Sequence, residues 1–555
     1  MPYHAAEIWC AARDRGGENG LCRSVIAGTP PDCGTWRSAP APAALDATRR
    51  SERQASSRSR LRSGSLCSRI PAGIAAGCLF FSLVGHLAPN FLTRGSGCRA
   101  VGISSASRFH AERVVHLAAH SAAADSSRLA KEELSVDRAS GAGLWPAMFE
   151  WVTGTGMDTS DIAVEVAPVD LAPGELGLIA KVPLEPGDVL VWAPTSLLLS
   201  KPQAVAVWGD LVGELSERIA LALLLIHERF VRAEESTWST YVRSLPRFDG
   251  DVSGPSFLWS DEELEELQGS DGYGAAVQMY NTILDDFVSL NATLFAGHPD
   301  QFGPSVFTLE NFCWASAVVA SRAYGDDNEG TFLCIAPLVD FLNHRAGALQ
   351  LTRFGNGIVA YAHKHYEVGD QVWVSYGGKS NAELLSQYGF VDVDNAEEAV
   401  YLRVGEHLVL DEPFAEKKLQ LLGELLGEGS DPRFGIFKLT RRPRDWEAQL
   451  LPALRTLALS LEDSVPSTVR EMVPTQRPRL EAAAYALLEA ALDRRAAEYP
   501  ASLEEDRRKL SQGGLEERQA LALRLRISEQ ELIALVKTYA VDRRYALESL
   551  KGDSN

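Results

Sequence analysis

In the run "IAPLVDFLNHR", residues 335 to 345, an apolar stretch ends in Asp340, Asn343 and His344. A carboxylate, an amide and an imidazole together can hold a ligand that presents both charge and hydrogen-bonding edges. If the end of the run coils into a helical turn, positions i, i+3 and i+4 share one face and the three groups point the same way. Buried polar groups need partners, so the stretch alone fits a ligand site and a satisfied core edge equally. A second run, "YEVGDQVWVSYGGKSNAELLSQYGFV" at 366 to 391, carries two phenols. Alternation of Val372, Val374 and Tyr376 with Trp373 and Ser375 predicts a strand that ends at Tyr376. Gly377 and Gly378 break it, and Ser380 with Glu383 predicts a capping box opening a short helix that reaches Tyr388. Taken alone, such tyrosines are more often core or cross-strand aromatics. Arg322 closes a predicted helix over 308 to 323, where an arginine ordinarily complements the dipole. His363 and His365 could suggest a metal, but without a third ligand none is expected.

The elements around these residues follow from turn and periodicity signals. "PGELGLIAKVPLEPGDVLVWAP", residues 173 to 194, predicts a strand around Leu178 to Lys181, a turn at Pro186-Gly187 and a second strand at Asp188 to Trp192, hence a hairpin. Glycines 174 and 177 would let a ligand lie against the backbone, although two glycines in a loop most often make only a turn. Residues 212 to 300 read as helical, with a capping box at Ser260 and Glu263. From about residue 410 the sequence is mainly amphipathic helix, with capping boxes predicted at Ser502 to Glu505 and at Ser528 to Glu531.

Composition narrows the partners. The chain has 555 residues, 46% hydrophobic and 23% charged, which suits a soluble globular protein of two or three domains. Residues 1 to 140 carry a net charge of +7 and the remainder −27. An acidic folded part argues against nucleic acid, because phosphate binding needs clustered Lys and Arg. Six of the eight cysteines lie in the first hundred residues, leaving Cys313 and Cys334, so a disulfide framework or Cys-rich zinc site in the folded part is excluded. Residues 37 to 69 are rich in Arg, Ser, Ala and Pro and expected to be disordered. The apolar stretch 70 to 92 reads as a membrane span or as a signal-peptide core, followed by an acid-poor, transit-like segment. Residues 1 to 140 are thus expected to be a targeting leader toward a plastid. A membrane anchor, or a cytosolic or nuclear protein whose reading frame starts elsewhere, are the alternatives.

In order, "PGELGLIA", a helical insertion, "SRAY", "PLVDFLNH", "VSYGGKSNAELLSQYGF" and a helical tail resemble the SET-domain lysine methyltransferases of the Rubisco large-subunit methyltransferase type, over roughly residues 160 to 550. The resemblance implies an α+β fold: a SET domain at 160 to 395 with a helical insertion at about 205 to 310, then an all-α substrate-binding domain at 405 to 550. It implies S-adenosylmethionine as cofactor, no metal, a monomer, and a lysine-bearing protein as partner, such as Rubisco large subunit or a plastid aldolase. It places Glu175 and Leu176 at the methionine part of the cofactor, Arg322 at its carboxylate, and Asn343 and His344 at its amino and adenine ends. Tyr376 would stand beside the transferring methyl and Tyr388 would form a second wall of the lysine channel. Carbonyls at Ser321, Tyr324 and Asp340 would receive methyl and amine hydrogens, Asp340 also lying against the cofactor. Glu175 departs from the family, which usually has glycine there. A histidine methyltransferase, or a docking protein that has lost catalysis, are the alternatives; "QYGF" favours lysine.

Overall fold

The computed structural model describes residues 144–549, apart from 156, 158, 160–161, 170–174, 249–253, 326–331, 406–413, 428–430, 432, 434, 461–462, 464–465 and 469–477. The expected leader and its apolar stretch at 70 to 92 lie outside the described residues. Small antiparallel sheets carry the first half. β1 (Val164–Pro168) pairs with β2 (Leu176–Ala180). β3 (Val189–Pro194) pairs with β9 (Gly357–Tyr361), which also pairs with β8 (Thr352–Phe354). β4 (Leu199–Ser200) and β5 (Ala323–Tyr324) flank β6 (Cys334–Ile335). One pair is parallel: β7 (Asn343–His344) beside β10 (Trp373–Val374).

The hairpin expected over 173 to 194 does not form. Both strands are present, but β2 pairs with β1 and β3 with β9. Between them Leu184 exchanges two backbone hydrogen bonds of 2.9 Å with Tyr366. Beyond that exchange β3 pairs along its length with β9 instead of folding back on β2. The turn residues were correctly recognised; the partner was set by distant contacts that a local pattern does not contain.

Helices fill the space between strands. α1 (Leu144–Gly154) and α2 (Lys201–Trp208) precede α3 (Glu217–Ile226), in which every residue from Ala220 to Ile226 is buried. α4 (Asp271–Leu290) and α5 (Leu309–Arg322) begin at Ser270 and Thr308, whose hydroxyls accept backbone N–H bonds from Tyr273 and Asn311. The predicted capping boxes at Ser260–Glu263 and Ser380–Glu383 are both formed, the second opening α6 (Asn381–Tyr388). Gly389 ends α6 in the left-handed region (φ 86°), which glycine adopts without a Cβ clash.

Beyond α6 a second core assembles from α7 (Ala415–Leu426), α8 (Pro443–Ala458), α9 (Pro478–Ala496), α10 (Leu503–Gln512) and α11 (Glu517–Ser549). The expected helices dominate it, and an antiparallel ribbon of β11 (Ala399–Val404) and β12 (Gly435–Thr440) is added. Val400, Leu402, Phe437 and Leu439 from this ribbon point into the helical core. The cap at Ser502 is present, but the one expected at Ser528 is not. α11 runs unbroken through that position, and Ser528 is buried with its hydroxyl donating to the Glu398 carboxylate. A capping signature inside a long helix is overridden when the serine is needed as an internal hydrogen-bond partner. The first core is not confined to the first half of the chain: Leu521, Ala522 and Leu525 of α11 belong to it, whereas Leu532, Ile533 and Val536 belong to the second.

Candidate active site

Arg322 is the last residue of α5, and its guanidinium turns toward the 3-10 turn Val339–Phe341. Nη1 donates to Asp340 Oδ2 at 2.9 Å and to the Asp340 carbonyl at 3.1 Å. Tyr241 Oη donates to the same Oδ2 at 2.7 Å. The turn is entered through Leu338, whose φ of 73° is uncommon for a residue with a branched side chain and marks local backbone strain. Burial raises the Asp340 carboxyl above its usual range while Arg322 pulls it back. Burial also opposes the Arg322 charge, but Asp340 outweighs it and the guanidinium is held above its ordinary value.

Asn343 and His344 follow in β7, not on a helical face. The expected i, i+3, i+4 arrangement fails because the chain turns only once before extending alongside β10. In a strand, neighbouring residues point to opposite sides, and the two side chains part accordingly. Asn343 Nδ2 donates to the Leu176 carbonyl at 3.0 Å. His344 Nδ1 accepts the Tyr376 backbone N–H at 2.9 Å. Burial lowers the His344 pKa, so the imidazole is neutral and carries its proton on Nε2.

Tyr376 and Tyr388, expected at opposite ends of one strand-turn-helix unit, meet face to face. Their ring centroids lie 4.7 Å apart with planes at 23°. Tyr376 Oη donates to the Leu342 carbonyl at 2.8 Å. Phe390 closes the group edge-on, 6.3 Å from Tyr388 and 6.5 Å from Tyr376, and His344 lies 5.1 Å from the Tyr376 ring. Burial pushes both phenols well above their ordinary pKa, so both remain protonated at neutral pH.

The β1–β2 loop reaches this cluster through Glu175 and Leu176. The Glu175 carbonyl accepts from Val169 N–H at 3.1 Å, and the Glu175 charge is among those that raise Tyr376. A Cβ on Gly177 would lie 2.8 Å from both Asn343 Nδ2 and Gln371 Nε2. Only glycine lets the two amides approach the strand this closely. Ser321 turns its hydroxyl back to the Ala317 carbonyl at 2.8 Å, and Tyr324 pairs with Cys334 across β5 and β6. These two residues flank Arg322 along the chain, while Leu176, Arg322, Asp340, Asn343, His344, Tyr376 and Tyr388 are joined by direct contacts or through a neighbour.

Four further residues are at the site. Tyr241 holds Asp340 from 99 positions away, a separation that no spacing rule covers. Gln371, Lys379 and Phe390 lie inside or beside the quoted "SYGGKSNAELLSQYGF" and carry no chemical signature of their own. Three buried polar atoms here lack a hydrogen-bond partner: Arg322 Nε, Asp340 Oδ1 and Gln371 Nε2. Orphaned donors and acceptors at one place mark a surface shaped to receive a polar molecule. The two histidines weighed as metal ligands are engaged otherwise, His363 with Tyr366 at 2.9 Å and His365 with Glu185 and Glu367 at 3.0 and 2.9 Å. Among the described residues no cluster of three metal-binding side chains occurs, and no helix is long and apolar enough to cross a membrane.

Comparison with known proteins adds a second line. A family profile described as Rubisco LSMT substrate-binding matches residues 409–533. The chain is 28% identical to the pea chloroplastic ribulose-1,5 bisphosphate carboxylase/oxygenase large subunit N-methyltransferase, over 73% of this chain and 83% of the relative. It is 27% identical to the Arabidopsis thaliana chloroplastic fructose-bisphosphate aldolase-lysine N-methyltransferase, over 73% of this chain and 84% of that one. Its fold matches the solved structure of Rubisco LSMT bound to AdoMet with a TM-score of 0.61 and 25% identity, over 73% of this chain and 93% of that one. In sequence and fold the chain is similar to the SET-domain methyltransferases of the Rubisco large-subunit methyltransferase type. The matched profile begins after β11 and takes in α7 to the middle of α11, whereas the tyrosine pair and Arg322 all precede it.

Proposed function

We propose that the chain transfers a methyl group from S-adenosylmethionine to the ε-amine of a lysine on a protein, within a plastid. The observation that carries this reading is the stacked Tyr376–Tyr388 pair adjoining a buried set of orphaned polar atoms on Arg322, Asp340 and Gln371. Those atoms suit the cofactor: its carboxylate and adenine nitrogens accept hydrogen bonds, its ammonium and exocyclic amine donate them. Arg322 Nε and Gln371 Nε2 would serve the acceptors and Asp340 Oδ1 a donor. Asn343 would orient the Leu176 strand against the methionine portion, and His344 Nε2–H would face the adenine end. When bound, the cofactor supplies an electrophilic methyl on a sulfonium.

The chain's own part is to exclude water and aim the amine. A free lysine, pKa about 10.4, is almost wholly protonated at neutral pH, so the channel must favour the neutral form. Aromatic walls do so by desolvation. Tyr376 and Tyr388 keep their protons and therefore position the amine as neutral phenols, not as bases. Carbonyls near Ser321, Tyr324 and Asp340 would receive weak CH···O contacts, though Arg322 already occupies one lone pair on Asp340. Residues 405 to 550 are proposed to dock the substrate protein, with Rubisco large subunit and plastid aldolase as first candidates.

The test is incubation of residues 144 to 555 with methyl-labelled cofactor and a soluble plastid extract, followed by mass spectrometry. Label on a lysine of a discrete protein is expected. Label confined to histidine would move the chain to that activity, and absence of label with no cofactor binding by calorimetry would overturn the proposal.

A further inference from the structure

The carboxylate of Asp340 is loaded unevenly. Oδ2 accepts both from Tyr241 Oη at 2.7 Å and from Arg322 Nη1 at 2.9 Å, whereas Oδ1 has no donor, on a side chain only 1% exposed. A carboxylate beside an arginine frequently settles into a two-pronged pair that uses both oxygens. Turning the carboxylate to reach that pairing costs little, because its terminal torsion is broad, and a buried oxygen left unpaired costs free energy. A second bond must therefore hold Asp340 side-on, and Tyr241 supplies it from the short helix Ser239–Ser244. We propose that Tyr241 is a positioning residue: its hydroxyl keeps the Arg322–Asp340 pair single-pronged and so keeps Asp340 Oδ1 open to the ammonium of S-adenosylmethionine. The inference rests on the function proposed above. The two orphaned atoms of the pair, Arg322 Nε and Asp340 Oδ1, are then a cationic donor and an anionic acceptor, the complement of a zwitterionic amino-acid group.

Tyr241 is fixed in place without its hydroxyl. Its ring is fully buried and stacks on Trp151 of α1, with centroids 6.3 Å apart and planes at 18°. Trp151 Nε1 donates to the Thr237 carbonyl at 2.7 Å, and Trp238 Nε1 to the Leu197 carbonyl at 2.9 Å, so two indoles anchor the start of the short helix. Arg322 is steadied separately, by its bond to the Asp340 carbonyl at 3.1 Å and by the Phe341 ring, whose centroid lies 5.5 Å from Cζ. Removing the phenol oxygen therefore frees one torsion, that of the Asp340 carboxylate. The plainer role for the hydroxyl is to satisfy itself, as buried phenols do. A phenylalanine separates the two roles: a self-satisfying hydroxyl is missed in stability alone, a positioning one in ligand affinity.

The experiment is calorimetric titration of the full chain with S-adenosylhomocysteine, which carries the same amino-acid group and has no methyl to transfer. Wild type, Tyr241→Phe, Asp340→Asn and the double variant are compared, with thermal melting to check folding. Tyr241→Phe is expected to bind about tenfold more weakly, the scale of one hydrogen bond to a charged group, and to melt with wild type, since the released oxygen pairs with Arg322. Asp340→Asn removes the charge that draws the group onto the guanidinium, so adding Tyr241→Phe to it weakens binding no further, the non-additivity of residues acting as one unit. In turnover, Tyr241→Phe raises KM for S-adenosylmethionine and leaves kcat unchanged, as loss of uniform binding does. Wild-type affinity in Tyr241→Phe, with or without a lower melting temperature, overturns the assignment and leaves the methyltransferase reading intact. So does a tenfold loss repeated in full on the asparagine background. If an asparagine variant fails to fold, the single phenylalanine variant decides alone. A wild-type chain that does not bind S-adenosylhomocysteine removes both readings.

Discussion

Replacing Tyr376 with phenylalanine removes one oxygen and keeps the ring in its stack. The hydroxyl donates to the Leu342 carbonyl, so its loss leaves one acceptor unpaired and costs about 1 kcal/mol of stability. If Tyr376 aligns the amine with the methyl, turnover falls on the order of 10²-fold, far beyond what that stability loss explains. Comparing melting temperature with kcat separates the two; a fall in stability with full activity would make Tyr376 a core aromatic only. Gly177→Ala tests the other end of the site. The new methyl would press on the Asn343 and Gln371 amides, displacing them from Leu176 and from the orphaned face. Calorimetry should show cofactor affinity about tenfold weaker, roughly the loss of one hydrogen bond. Unchanged affinity would take this strand away from the cofactor.

At the scale of elements, the junction between α4, α9 and α11 gathers the carboxylates of Asp271, Glu398 and Glu529 around Arg495, with the Arg403 charge also acting on Asp271. Asp271 N–H donates to Glu529 at 3.0 Å, Asp271 Oδ1 accepts Arg495 at 3.2 Å, and Tyr499 donates to Glu529 at 2.6 Å. Glu398 lies nearby, held by Asn381 and Ser528. Burial raises Asp271, Glu398 and Glu529, the last well above the usual range, and the Asp271 charge raises it further. A carboxyl raised in the folded state binds its proton more tightly there than in the unfolded chain. Its contribution is full below the ordinary value of about 4.3 and declines as pH climbs through the raised one. Glu529→Gln mimics the protonated form, so the variant should match wild type near pH 5 and exceed it increasingly toward pH 8. Denaturant titration across that range, with a wild-type slope of up to about 1.4 kcal/mol per pH unit and proton, reads it; parallel curves would mean that Glu529 titrates normally. This network was invisible in the sequence, where Ser528 reads as a helix cap. Capping boxes at 260, 380 and 502 were legible because both partners lie three residues apart. Tyr388 was legible as a helix end, whereas the strand expected to end at Tyr376 stops at Val374, two residues short of it; the stacking of the phenols, the Tyr241 contact and the β2 and β3 pairings depend on residues tens of positions away. The helical face assumed for Asp340, Asn343 and His344 failed for the same reason: pairing with β10 overrode the local turn.

For the whole molecule, α11 is the member that both cores share. Leu525 and Glu529 in its early turns meet Gly272 and Asp271 at the start of α4, Tyr539 further on meets Trp446 and Glu447 of α8, and α9 packs along it. Ending the chain at residue 516 would strip Leu521, Ala522 and Leu525 from one core and Leu532, Ile533 and Val536 from the other. Losing several large buried side chains, each worth about 1.5–3 kcal/mol, exceeds the total stability of an ordinary domain. Such a chain should be insoluble or lack a cooperative melt by circular dichroism. A truncated chain that melts like wild type would show that α11 is only an accessory.

The same helix bears on the order in which the protein is made. A ribosome releases Arg322 and both tyrosines roughly 140 to 200 residues before it releases Leu525, and until then the wall that α11 supplies to the first core is missing. Newly synthesised chains therefore pass through an interval in which apolar surface of the site-bearing half is uncovered, the condition that recruits chaperones. The proposed site residues lie early in the chain while part of the core behind them comes from α11, so a chain whose synthesis stops before Leu525 is expected to lack a stably folded site.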